Sequence, residues 1–166
     1  MAINQASMFF YPPRCRQRLT PDPEALTDEG KPVQIAHSEP AEGDGDDNPA
    51  VSGGEVKEWL KGRGFTIANW GQGGIFERGR VHSMFGVEKE VQINVSEEAG
   101  EIVELYCRFT LTHRPPPPLD EWAEFVSSLC ARFGLRLAPD GIGPCSAAEF
   151  LAAVRANRNY QDFAGG

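Results

Sequence analysis

The sequence predicts an α+β fold: an antiparallel sheet of four to five strands with helices packed on one face, preceded by a poorly structured N-terminal arm. Three observations carry this. Residues 89–112 alternate between apolar and polar side chains, the period of a half-buried strand. Leu119, Trp122, Val126, Leu129 and Phe133 recur at the three-and-four spacing of an amphipathic helix. Residues 39–48 (EPAEGDGDDN) are acidic, rich in Pro and Gly, and nearly free of apolar side chains, so they bury too little surface to offset their ordering entropy. The expected division is residues 1–53 as an acidic, mostly irregular arm and linker, and residues 54–166 as a single α+β domain.

Within the arm, residues 8–19 (MFFYPPRCRQRL) set an aromatic cluster beside Arg14, Arg16 and Arg18. They read as a loosely attached arm or an added edge strand, with a docking peptide as the functional alternative. Ser52 and Glu55 form a capping box, and Val51 can staple onto Val56. Val56, Trp59 and Leu60 then make one face of a short helix that stops near Gly62 and Gly64. Phe65 to Trp70 reads as a strand, Gly71-Gln72-Gly73-Gly74 as a turn, and Ile75 to Arg78 as a second strand. The stretch 79–86 is either a continuation of that strand or a loop.

In the hairpin, Val91, Ile93 and Val95 and then Val103, Leu105, Cys107, Phe109 and Leu111 all occupy odd positions. They share a face only if paired residues sum to an even number. A three-residue loop, Glu98-Ala99-Gly100, meets that condition and sets Gly100 where a left-handed residue is needed. Val95 is then expected opposite Val103, Ile93 opposite Leu105, Val91 opposite Cys107, and Glu90 opposite Arg108. The run Pro115–Pro118 cannot join a ladder and forms a stiff connection into the best helix of the chain. Asp120 and Glu121 suit that helix's N-terminal dipole, Phe125 widens its stripe, and Gly134 ends it. Leu135 to Leu137 is a short strand and Pro139-Asp140-Gly141 a turn. Ser146 and Glu149 cap a last helix with Phe150, Leu151 and Val154 on its face, followed by a polar end anchored by Tyr160 and Phe163.

Composition bounds the function. Hydrophobic residues at 40% and charged residues at 24% are globular values. No apolar run is long enough to span a bilayer, and the first residues lack the basic and apolar parts of a secretory signal, so the expected location is cytoplasmic. Cys15, Cys107, Cys130 and Cys145 are widely spaced without a C-x-x-C pair, and two of them fall on the apolar faces of predicted elements, where thiols act as small hydrophobes. The net charge of −8 is uneven: residues 88–104 hold Glu88, Glu90, Glu97, Glu98, Glu101 and Glu104 against Lys89 alone. Such a chain lacks the basic footprint that nucleic acid requires, even with Arg78, Arg80 and His82 near Trp70, and is the natural complement of a basic protein.

Catalytic signals are weak. The glycine clusters lack the Lys-Ser/Thr ending of a phosphate loop. His37, His82 and His113 lack ligand spacing, so neither a metal nor a cofactor is expected. His82 and Ser83 are neighbours that point to opposite faces of a strand, no G-x-S-x-G is present, and no catalytic residue is assigned.

The segment Leu119–Phe163 combines an aromatic-rich helix, a short strand, a Ser-x-x-Glu-Phe-Leu helix start and an Asn-Tyr-x-x-Phe ending. Over about a quarter of the chain it resembles the C-terminal part of small acidic bacterial immunity proteins, compact α+β proteins that neutralise a toxin by binding it. The expectation is a non-enzymatic intracellular protein-binding domain, immunity-like, recognising a basic partner through Glu97, Glu98, Glu101 and Glu104 with Tyr106 as anchor. The alternatives are a small hydrolase or nuclease using Glu88, Glu90 and His82, and an acidic secretion or assembly chaperone. The oligomeric state is left open.

Overall fold

A computed structural model describes residues 4–13, 15–40, 50–68, 74–83, 86–138, 141 and 143–165. The elements are β1 (Gln5–Tyr11), β2 (Cys15–Leu26), β3 (Pro32–Pro40), α1 (Gly53–Gly62), β4 (Thr66–Ile67), β5 (Ile75–Arg78), β6 (Val81–Ser83), β7 (Gly86–Glu88), β8 (Val91–Glu98), β9 (Glu101–Thr110), α2 (Leu119–Phe133), β10 (Arg136–Leu137), α3 (Ala147–Ala156) and α4 (Arg158–Gly165). Six strands form an antiparallel sheet in the order β10-β1-β9-β8-β5-β4, while β2–β3 and β6–β7 are separate hairpins. The fold is α+β, as the sequence predicts, with one more strand in the sheet. The expected acidic linker falls mostly on residues 41–49, outside the described residues, as do Arg14, Trp70, the turn residues 71–73 and Pro139-Asp140.

The sheet takes in more of the chain than expected. Gln5–Tyr11, assigned by sequence to the arm, is an interior strand between β9 and β10, with Met8 opposite Cys107 and Phe10 opposite both Leu105 and Leu137. Its alternation explains this: Ala6, Met8 and Phe10 are buried, whereas Ser7 and Phe9 stand half-buried on the opposite face. The segment's period-two signal is short and runs into Pro12-Pro13, which disguises it as a terminal tail. Residues 15–40 are likewise paired, as the hairpin β2–β3, rather than irregular.

One core gathers the inner face of the sheet and the helices. Val56 and Leu60 of α1, Trp122, Phe125, Val126 and Leu129 of α2, and Phe150 and Val154 of α3 meet Phe76, Ile93, Leu105, Cys107 and Phe109. Phe109 lies 5.1 Å from Trp122 and 5.2 Å from Phe150, ring centre to ring centre. Both Ser caps form, with Ser52 Oγ accepting from Glu55 N at 3.3 Å and Ser146 Oγ from Glu149 N at 3.2 Å. Gly134 ends α2 in the left-handed region (φ 70°). The polar end expected after α3 is a helix of its own, α4, whose N-terminus is capped by Asn157 Oδ1 accepting from Asn159 N at 3.0 Å.

The central hairpin corrects the expected register. Observed partners are Val91 with Phe109, Ile93 with Cys107, Val95 with Leu105, and Gln92, rather than Glu90, with Arg108. The loop has two residues, not three: Ala99 and Gly100 sit between the pair Glu98–Glu101, both with positive φ (52° and 80°). A two-residue loop alone makes paired residues sum to an odd number and would turn the two apolar sets to opposite faces. An extra residue on β9, Val103, restores the parity, since Glu97 pairs with Ile102 and Ser96 with Glu104.

Two outcomes are expected. Asn at position 99 is easier in the left-handed region than Ala, so Ala99→Asn stabilises the domain by about 1 kcal/mol in urea unfolding, and an unchanged midpoint would argue against this turn. Phe10→Ala removes a fully buried side chain of an interior strand and costs about 3–5 kcal/mol, whereas a dispensable arm would give no measurable change.

Candidate functional site

Strand alternation divides the glutamates expected to act together, sending Glu97 of β8 to one face, while the bulge at Val103 turns Glu101 to the face of Glu98 and Glu104. The pair Glu97–Ile102 faces the helix side of the sheet: Ile102 is buried and Glu97 forms an ion pair with Lys57 of α1. Glu97 is 24% exposed and packs so closely on Gly53 that a Cβ there would collide with its carboxylate. Glu98 and Glu101 stay exposed and directly opposite one another at the tip. Glu104 is half-buried on the outer face, the side of the sheet away from the helices, opposite Ser96. Tyr106 is half-buried as well, stacked on Phe9 at 4.5 Å with the Arg108 guanidinium 5.6 Å from its ring. Of the five predicted contact residues, Glu98 and Glu101 thus lie together, while Glu97 and Tyr106 are engaged within the fold. The start of α1 adjoins that tip, with Gly53 N donating to Gly100 O at 2.8 Å, which brings Glu55 to the same end.

A more concave acidic surface lies where α2 begins. A cleft of ≈ 590 Å3 is lined by Arg78, Glu90, Asp120, Glu121, Glu124 and Phe125. Two forces build it. The N-terminus of α2 favours the carboxylates of Asp120 and Glu121 through its positive end. Glu90 is held by Trp122, whose Nε1 donates to Glu90 Oε1 at 3.4 Å. Arg78 is turned inward, lying 4.9 Å from the Phe65 ring and 5.0 Å from the Phe125 ring and donating to Arg63 O at 3.2 Å. Glu124 is met by Arg63 at 3.3 Å. Sequence reasoning took Asp120 and Glu121 for dipole partners and missed Glu124. The available signal was the polar face of α2, where Asp120 and Glu124 stand one turn apart.

The constellation for hydrolysis is dispersed. Glu90 faces the α2 cleft, whereas Glu88 lines a different cleft on the outer face, where Asn4 Nδ2 donates to it at 3.2 Å. His82 lines neither. Arg78 and Arg80 are also divided between the two clefts. Among the described residues no group of three or more His, Cys, Asp or Glu side chains could hold a metal ion, and no helix is long and apolar enough to cross a membrane.

Cys107, Cys130 and Cys145 are buried free thiols. Burial pushes the Cys107 thiol up. The hydrogen bond between Cys130 and Cys145 raises Cys130, with burial adding to the effect, and lowers Cys145. A buried, protonated thiol is a poor nucleophile.

No family model matches the chain, and neither a curated protein nor a solved structure matches it.

For the thiols, Cys107 and Cys130 are expected to label with a thiol reagent at least about a hundredfold more slowly in the native protein than after urea unfolding. Rapid native labelling of either, located by peptide mapping, would show that the core opens or that these thiols are activated.

Proposed function

We propose that this chain is a non-enzymatic protein-binding domain that recognises a basic partner, in the manner of the immunity proteins that its C-terminal segment resembles. The observation that carries the reading is the cleft at the start of α2, which four carboxylates, those of Glu90, Asp120, Glu121 and Glu124, line together with the inward-turned Arg78. Among the described residues, only Glu124 of the four is paired to an arginine, Arg63. Carboxylates spread along a helix turn and a strand end suit the several cationic side chains of a protein surface. Opposed potentials of this kind raise association rates and reject acidic competitors. The exposed glutamates at the tip of β8–β9 extend the negative field along the same molecule. An intracellular setting goes with this reading. A hydrolase built on Glu88, Glu90 and His82 has less support, because its two carboxylates open into different clefts.

The test is a pull-down from source-cell lysate at low and high salt with two charge-neutralised variants. The triple variant Asp120→Asn, Glu121→Gln, Glu124→Gln is expected to weaken capture of a basic protein by at least about tenfold. The comparison variant Glu98→Gln, Glu101→Gln, Glu104→Gln is expected to slow association with a smaller effect at equilibrium. If the wild type retains no basic protein, or if both variants bind as the wild type does, the reading is overturned. Loss confined to the second variant moves the contact to the hairpin tip.

A further inference from the structure

The outer face of the sheet carries a cleft of different chemistry. It measures ≈ 580 Å3 and lies between the sheet residues Glu77 and Gln92 and the segment that carries β6–β7, which contributes Arg80, Val87, Glu88 and Lys89. Glu77 faces outward because its neighbour Phe76 pairs with Ile93 on the core side, so alternation sends Glu77 and its partner Gln92 to the other. Although it lines a cleft, Glu77 is only 7% exposed. Its carboxylate accepts a hydrogen bond from Gln92 Nε2, and among the described residues it forms no ion pair. Taking a carboxylate out of water costs several kcal/mol unless a positive group meets it, and an amide offsets only part of that.

The chain could have met that need with Arg80 or Lys89, which line the same cleft, yet neither pairs with Glu77. The second carboxylate, Glu88, is fixed by the amide of Asn4, itself 8% exposed and with its Oδ1 lacking a partner. Two carboxylates and two cationic side chains therefore share one concave space, balanced in sum but separated in place. A ligand of a single sign would leave half of these groups unmatched. A ligand carrying an ammonium and a carboxylate a few atoms apart matches both halves, and Val87, 58% exposed, offers an apolar wall to its side chain. The volume is that of a small-molecule site.

We infer that this outer-face cleft binds a small zwitterion of the α-amino-acid class, with the ammonium on Glu77 and Glu88 and the carboxylate on Arg80 and Lys89. The site is independent of the acidic cleft at α2, from which the sheet separates it.

The experiment is an NMR titration of the isotope-labelled full chain with the free proteinogenic amino acids, read at the Gln92 side-chain amide and the Glu77 backbone amide. Putrescine and succinate serve as single-sign controls. At least one amino acid is expected to give saturable shifts at millimolar concentration, with neither control reproducing them. Glu77→Gln is expected to weaken that binding roughly thirtyfold or more. Arg80→Ala, at an exposed position with no part in the core, is expected to weaken it at least about tenfold and keeps the test decisive if Glu77→Gln fails to fold. Absence of saturable shifts from every amino acid overturns the inference. So do shifts of equal size from putrescine or succinate, or a folded variant that binds as the wild type does.

Discussion

The pairing of β1 between β9 and β10 is the contact on which the rest of the structure leans. It joins residues about a hundred positions apart: Gln5 to Thr110, Phe10 to Leu105 and Leu137. Closing so long a loop is entropically costly and is offset by what β1 then buries, namely Ala6, Met8 and Phe10 against the core. Several other features take their position from the same strand. Leu111 N donates to Asn4 O at 2.5 Å, fixing the exit of β9. Asn159 Nδ2 donates to Gln5 O at 2.9 Å and ties α4 to the sheet. Arg136 reaches Pro13 O at 2.9 Å, beside the short strand β10 that completes the edge. Asn4, one residue before β1, also holds Glu88 in the outer-face cleft. Without β1 the row Leu105-Cys107-Phe109 would keep its helix partners but lose the strand on its other side.

A second constraint, smaller in extent, decides the electrostatics of one end of the molecule. The Val103 bulge reverses the facing of the β9 residues between it and the turn, Glu101 and Ile102. It places Ile102 in the core, which is favourable, and turns Glu101 outward, while the unbroken alternation of β8 after Val91, Ile93 and Val95 carries Glu97 to the helix side. There a carboxylate needs a cation, and Lys57 of α1 supplies it. The cluster that looks contiguous along residues 97–104 is thus split in space, with Glu98 and Glu101 at the tip, Glu104 on the outer face, and Glu97 enclosed against Gly53.

The sheet also works as an electrostatic partition. On its helix side, Glu90, Asp120, Glu121 and Glu124 line a cleft with Arg78; on its outer side, Glu77 and Glu88 share a cleft with Arg80 and Lys89. Neighbouring residues in the sequence are sent apart by strand alternation, Glu77 outward and Arg78 inward, so that each cleft acquires its own charge balance from one stretch of chain. One cleft is predominantly acidic and the other balanced, and the functional readings differ for that reason.

By itself the sequence determined the fold class, helices α1 to α3 with the caps at Ser52, Gly134 and Ser146, and the inner face of the central hairpin, but not α4. These follow from local periodicity and from side chains such as Ser52, Ser146 and Gly134 that act within a turn of themselves. It was equally sufficient for the parity of the hairpin, because two apolar sets at odd positions must share the core. Tertiary structure alone decided how that parity is met, since a three-residue loop and a two-residue loop with a bulge satisfy it equally. It also decided that Gln5–Tyr11 is interior rather than an arm, because seven residues beside two prolines carry no local sign of partners near positions 107 and 137. The clefts were out of reach for the same reason. Glu77 meets Gln92 and Glu90 meets Trp122 across strand and helix pairings that no window of sequence contains.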